Sequence, residues 1–148
     1  MIAENLAILR QKIDETCIRS GRNSDEIKLI AVSKYFGVDV IVNAKNCGLT
    51  DFGENRAQEL TIKYEKLGND ITWHFIGSLQ TNKVKYAVNS ADLIHSVDSL
   101  ELVEEINKRA EKIGKTQKIL LEVKTSKEET KSGLETETEI LNLVKRCF

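Results

Sequence analysis

Lys34 is the residue whose type and surroundings promise the most chemistry. It closes Ile27-Lys28-Leu29-Ile30-Ala31-Val32-Ser33-Lys34, a short, β-branched, nearly continuous apolar run of the kind buried in a parallel sheet. A lysine at the end of such a strand is partly desolvated, which lowers its pKa and frees the amine for nucleophilic attack. A neutral amine there can condense with an aldehyde to give a Schiff base. The same side chain can instead snorkel its ammonium into solvent, and spacing alone leaves both readings open. His74 and His95 could move protons or bind a metal. They fall in separate strand-like runs with no i,i+4 partner and no cysteine nearby, so no metal site is expected. The other reading for each is a hydrogen-bonded structural histidine. Gly77-Ser78-Leu79-Gln80-Thr81-Asn82-Lys83 could present backbone N–H groups to an anion. It could equally be an ordinary strand-to-helix turn capped by Asn82. The charged stretch 124–131 reads as a solvated loop, and Ser132-Gly133 after it as a phosphate contact or a turn. Neither G-x-x-x-x-G-K-[ST] nor G-x-G-x-x-G occurs.

These residues need elements to position them. Ile2, Leu6, Leu9, Ile13 and Cys17 share one helical face, and Gly21 is placed to end that helix. After the strand ending at Lys34, a helical stretch runs over 39–46, a short strand over 50–53 and a helix over 55–66. The next strand covers Ile71-Thr72-Trp73-His74-Phe75-Ile76-Gly77, followed by a short helix over 82–87 and a strand over 92–97. Asp98 or Ser99 can cap a helix carrying Leu102, Ile106 and Ala110. A fifth strand covers 118–123, and Thr136-Glu137-Thr138-Glu139 is a capping box opening a last helix. Five strand–helix alternations after a leading helix imply right-handed βαβ units and a mostly parallel sheet. In such folds functional groups collect at the carboxyl ends of strands, where Lys34 lies.

Composition narrows the classes. The chain has 148 residues, 30% charged and 41% hydrophobic, a soluble globular balance for one domain. Its formal net charge of -1 gives no pull toward nucleic acid or anionic membrane, and the basic residues are dispersed without an aromatic stacking platform. No run approaches the length of a membrane span, and the N-terminus lacks the pattern of a signal peptide. Cys17, Cys47 and Cys147 are too few, odd in number and too widely spaced for a disulfide framework or zinc site. They read as packing residues in a protein of the reducing cytoplasm.

A series of motifs adds a resemblance. Ala31-Val32-Ser33-Lys34, Asp51-Phe52-Gly53-Glu54-Asn55, Gln58-Glu59 and Trp73-His74-Phe75-Ile76-Gly77 occur in that order. Leu79-Gln80-Thr81-Asn82-Lys83, Ile94-His95-Ser96-Val97-Asp98 and Lys131-Ser132-Gly133 follow. The series resembles the YggS/PROSC family of pyridoxal-phosphate-binding proteins over nearly the whole chain. The resemblance implies a (β/α)8 barrel like the N-terminal domain of alanine racemase. It implies that Lys34 carries pyridoxal 5'-phosphate (PLP) as a Schiff base, that Asn55 lies near the cofactor ring and that His74 lines the pocket. It implies a role in keeping free PLP in balance, with no firmly assigned catalytic turnover and so no catalytic residue.

The sequence also departs from the family. Tyr35-Phe36-Gly37 stands where Thr-x-Pro commonly follows the lysine, Arg56-Ala57 replaces Tyr-Val, and Lys124 stands where an Asn is common. The family's later blocks supply the phosphate loops and the arginine facing the pyridine nitrogen, and nothing here matches them. Barrels of this type take about 250 residues. The expectation is therefore a single domain over 1–148, truncated at its C-terminus. It would be a partial barrel of about five βα units plus a leading helix. Two open sheet edges should then pair between chains or be covered by a helix. The rival functions are a PLP-dependent amino-acid racemase-like enzyme and a fragment that binds no cofactor. The racemase would need an acid–base group opposite Lys34, and Tyr35, Tyr64 and Tyr86 are not at a suitable strand end.

Overall fold

The computed structural model describes residues 1–126, 128 and 132–147. Lys131, the first residue of the Lys131-Ser132-Gly133 motif, lies outside the described residues. Helix α1 spans Ile2–Ser20 and stops at Gly21, whose φ of 66° is left-handed and whose amide closes the last turn. Five strands follow, each leading to a helix. They are β1 (Ala31–Val32), β2 (Asp51–Glu54), β3 (Thr72–Phe75), β4 (Leu93–Val97) and β5 (Lys118–Leu121). The helices between and after them are α2 (Val38–Asn46), α3 (Ala57–Leu67), α4 (Val84–Ser90), α5 (Leu100–Lys112) and α6 (Glu137–Cys147). Ser99 caps α5, accepting from the Leu102 amide at 3.4 Å. The capping box forms as the sequence suggests: Glu139 N donates to Thr136 Oγ1 at 3.2 Å and Thr136 N to Glu139 Oε2 at 3.0 Å.

All neighbouring strands are parallel, in the spatial order β1-β2-β3-β4-β5. Unbroken sequential order with right-handed crossovers places every connecting helix on one face. That is the winding of a barrel wall, not of a doubly wound sheet. On the helix-covered face Phe52, Trp73, Phe75, Ile94 and Val97 are buried against Leu60, Val84, Val88, Leu102 and Ile106. Each such side chain contributes about 1.5–3 kcal/mol of burial energy. The other face carries the alternate residues, among them Val32, Gly53, His74 and Leu120. Val32 and Leu120 are each 48% exposed there, so β1 is not covered on both faces as its apolar run suggests. The ladder also takes up less of that run than expected: β1 has β2 alone beside it, and 27–30 carry no strand pairing among the described residues. Beyond β5, Leu134 pairs with Val123 in a single parallel bridge. Of the cysteines, Cys17 is buried as expected and Cys47 half-buried, whereas Cys147 is exposed.

Candidate functional site

The carboxyl ends of the first three strands bring Lys34, Asn55 and Gly77 side by side. The β1–β2 register pairs Val32 with Gly53. It continues one residue further through a Ser33 N to Gly53 O bond of 3.0 Å. Carried two residues on from Val32 and Gly53, the same register sets Lys34 level with Asn55. The β2–β3 pairing likewise continues through Ile76 N to Glu54 O at 2.8 Å. Gly77 then meets Asn55 so closely that a Cβ on residue 77 would lie 2.2 Å from the Asn55 carbonyl oxygen. Only glycine fits there. Ser96 Oγ donates to the Gly77 carbonyl, tying the end of β4 to the same rim.

Lys34 is half-buried, and its Nζ stands 5.7 Å from the centre of the Tyr35 ring. No carboxylate pairs with it among the described residues. The Asn55 side chain is half-buried and makes no side-chain hydrogen bond among the described residues. Ser33 begins a tight turn in which Phe36 N donates to Ser33 O at 3.1 Å, with Lys34 in the second position. Tyr35 occupies the third position with φ 72°, a conformation that turns of type II normally give to glycine. This is the local consequence of Tyr35-Phe36-Gly37 in place of Thr-x-Pro.

His74 lies lower in the wall, in register with Gly53. Ile30 and Ile76 both reach over the bare Gly53. No hydrogen bond joins His74 to Lys34 or Asn55 among the described residues. Both of its ring nitrogens are already occupied, Nε2 with Asp51 Oδ1 and Nδ1 with His95 Nε2, each at 2.9 Å. Asp51 also accepts from Lys28 Nζ at 2.9 Å and from Thr50 Oγ1 at 2.8 Å. Burial pushes the Asp51 carboxyl up, but the bonds from Lys28, His74 and Thr50 together outweigh it and hold it below its ordinary 3.8. Burial, with His74 alongside, holds His95 below its ordinary 6.5. The ladder between β4 and β5 slips between Ile94 and Val97. A bulge of this kind re-aims a side chain, and the slip here spans His95 and Ser96, His95 being the residue that bonds His74. The two histidines thus form a hydrogen-bonded pair tied to Asp51. No group of three or more His, Cys, Asp or Glu side chains could hold a metal among the described residues.

Sequence reasoning missed a second polar cluster, on the helix side of the rim. Glu54 is 0% exposed, and its Oε1 accepts from Ser33 Oγ at 2.7 Å and from Lys63 Nζ at 2.5 Å. Lys63 Nζ also donates to Ser33 O at 2.9 Å. A signal was present: a carboxylate inside Asp51-Phe52-Gly53-Glu54 needs a buried cation, and Lys63 shares a helical stripe with Leu60 and Leu67. No helix is long and apolar enough to cross a membrane among the described residues.

The family model described as alanine racemase, N-terminal domain, matches residues 2–148. A pyridoxal phosphate homeostasis protein of Aquifex aeolicus is 47% identical over 135 residues, covering 90% of this chain and 59% of its own length. PipY of Synechococcus elongatus, solved without PLP, superposes with a TM-score of 0.83 at 37% identity, over 98% of this chain and 65% of that one. Solved with PLP bound, it gives 0.81 at 35% identity, over 99% and 63%. The chain spans about three-fifths of the length of the curated relatives first matched. The barrel wall, the order of its motifs and these matches agree: the chain belongs to the alanine racemase N-terminal domain family, on its branch of pyridoxal phosphate homeostasis (YggS/PROSC) proteins.

Proposed function

We propose that this chain binds PLP and serves PLP homeostasis, with residues 1–148 forming the lysine-bearing part of one cofactor-binding barrel domain. The observation that supports this reading most is the rim itself. Lys34, without a carboxylate partner among the described residues, stands beside Asn55, whose amide is equally free there. Both lie at the strand ends where barrels of this type place their chemistry. These residues fit the aldehyde and ring end of the cofactor. When bound, PLP supplies an electrophilic aldehyde and an aromatic ring able to draw electron density. Lys34 Nζ would hold it as a Schiff base: the amine nitrogen bonds to the aldehyde carbon and water leaves. Asn55 offers an amide donor and acceptor to the ring substituents. His74, with both nitrogens spent on Asp51 and His95, would support the inner wall instead of bonding the cofactor directly. A relative solved with PLP bound, PipY, shares this fold.

The test is a PLP titration of the full chain, followed by the visible imine band, with Lys34→Ala in parallel. A saturable band that Lys34→Ala abolishes is expected. A band of equal size in Lys34→Ala, or none in the parent chain, would refute the proposal.

A further inference from the structure

We propose that Glu54 and Lys63 are positioning residues for Lys34, acting through Ser33. This deepens the reading above and rests on Lys34 being the reactive amine. Ser33 is held from every polar atom it has. Its amide donates to Gly53 O at 3.0 Å and its hydroxyl to Glu54 Oε1 at 2.7 Å. Its carbonyl accepts from Lys63 Nζ at 2.9 Å and from Phe36 N at 3.1 Å. The next residue is Lys34, and the one after is Tyr35 in its left-handed conformation. A tyrosine keeps such a conformation only where its surroundings over-determine it. Here the fixed Ser33 carbonyl, anchored by the buried ammonium of Lys63, provides that determination.

The pair is costly as mere packing. Ser33, Glu54 and Lys63 are 4%, 0% and 7% exposed, and Glu54 Oε2 is buried with no hydrogen-bond partner. Apolar side chains of similar size commonly fill such a space at no loss of stability. What they cannot do is hold the Ser33 carbonyl. Glu54 also precedes Asn55, and its own carbonyl accepts from Ile76 N at 2.8 Å. One buried carboxylate therefore sets the ends of β1 and β2 together and fixes the spacing between Lys34 and Asn55.

The experiment compares the parent chain with the double variant Glu54→Leu/Lys63→Met, which removes both charges and leaves Lys34 and Asn55 in place. Ser33→Ala removes the hydroxyl link alone and serves if the double variant does not fold. Ser33→Thr is the conservative rescue. Two readouts are taken on protein shown to be folded by circular dichroism: the PLP titration with the pH midpoint of its imine band, and the reductive methylation rate of Lys34 relative to Lys12, mapped by mass spectrometry. The second uses no PLP. Positioning predicts about tenfold or greater weakening of the titration, a moved pH midpoint, an altered relative rate at Lys34 and recovery in Ser33→Thr. Folded variants matching the parent within about twofold in both the titration and the methylation rate, with an unmoved pH midpoint, would overturn the proposal. A parent chain with no Lys34-dependent band, but a Lys34 methylation rate that the variants change, would refute PLP binding and support the positioning role.

Discussion

Replacing Gly77 by alanine tests how tightly the rim is built. A Cβ there would lie 2.2 Å from Asn55 O and 2.8 Å from both Asn55 C and Asn55 Cα. Carbon and carbonyl oxygen rarely approach within about 3.3 Å, so the ends of β2 and β3 must separate by roughly 1 Å. These are backbone atoms, and no side-chain rotation relieves them. The adjacent Ile76 N to Glu54 O bond, now 2.8 Å, would stretch past hydrogen-bonding range. Losing it costs about 1–3 kcal/mol, and forcing the strands apart adds about 1–3 kcal/mol. The sum is about 2–6 kcal/mol. Urea unfolding followed by the fluorescence of Trp73, the single and fully buried tryptophan, measures it directly. With a slope of about 2 kcal/mol/M, the midpoint should fall by about 1–3 M. Gly21→Ala is the comparison. It has open space around the new Cβ but a φ of +66°, so only conformational strain of about 1 kcal/mol applies. A Gly77→Ala midpoint within about 0.3 M of the parent, at unchanged slope, would refute the packing argument.

Other expectations follow from the same geometry. Lys63→Met alone strands the Glu54 carboxylate and should cost about 3–5 kcal/mol in urea unfolding, most of it recovered in Glu54→Leu/Lys63→Met; a single-variant loss under about 1 kcal/mol contradicts the buried pair. Tyr35→Asn should leave stability level or raise it by about 0.5 kcal/mol, and Tyr35→Val should lower it by about 1–2 kcal/mol, because β-branched residues resist positive φ. Equal midpoints for the two would argue against the left-handed turn. His95 is held below 6.5, first by burial and then by His74. The unfolded chain takes up a proton near 6.5 that the folded chain resists, so stability should be intact above about pH 6.5 and decline as pH falls toward the folded value. His95→Gln should flatten that decline in urea midpoints taken from about pH 7.5 to about pH 5.5, and an unchanged slope would sink the assignment.

Much of the wall was legible because its signals are local. The apolar face of α1, the Thr136–Glu139 box and the apolar strand runs each report on residues a few positions apart. The rim was legible in type but not in pairing. Lys34 and Asn55 lie 21 positions apart (55 − 34) and meet only through strand register. The histidine pair was hidden because the slip in β4 that accompanies it is a matter of ladder geometry. Glu54 and Lys63 were missed because a charge in a buried strand reads as an exception until its partner is found. The turn at Tyr35 had no sequence signal, since nothing in Lys34-Tyr35-Phe36 asks for a positive φ.

The central claim is that Lys34 is the amine that holds PLP. The most direct measurement is to incubate the full chain with PLP, reduce with borohydride to fix any imine as a stable secondary amine, digest, and locate the phosphopyridoxyl group by mass spectrometry. A single dominant adduct on Lys34 at low PLP excess is the predicted result. Labelling spread over surface lysines such as Lys12 and Lys85, with Lys34 no more modified than they are, would contradict it.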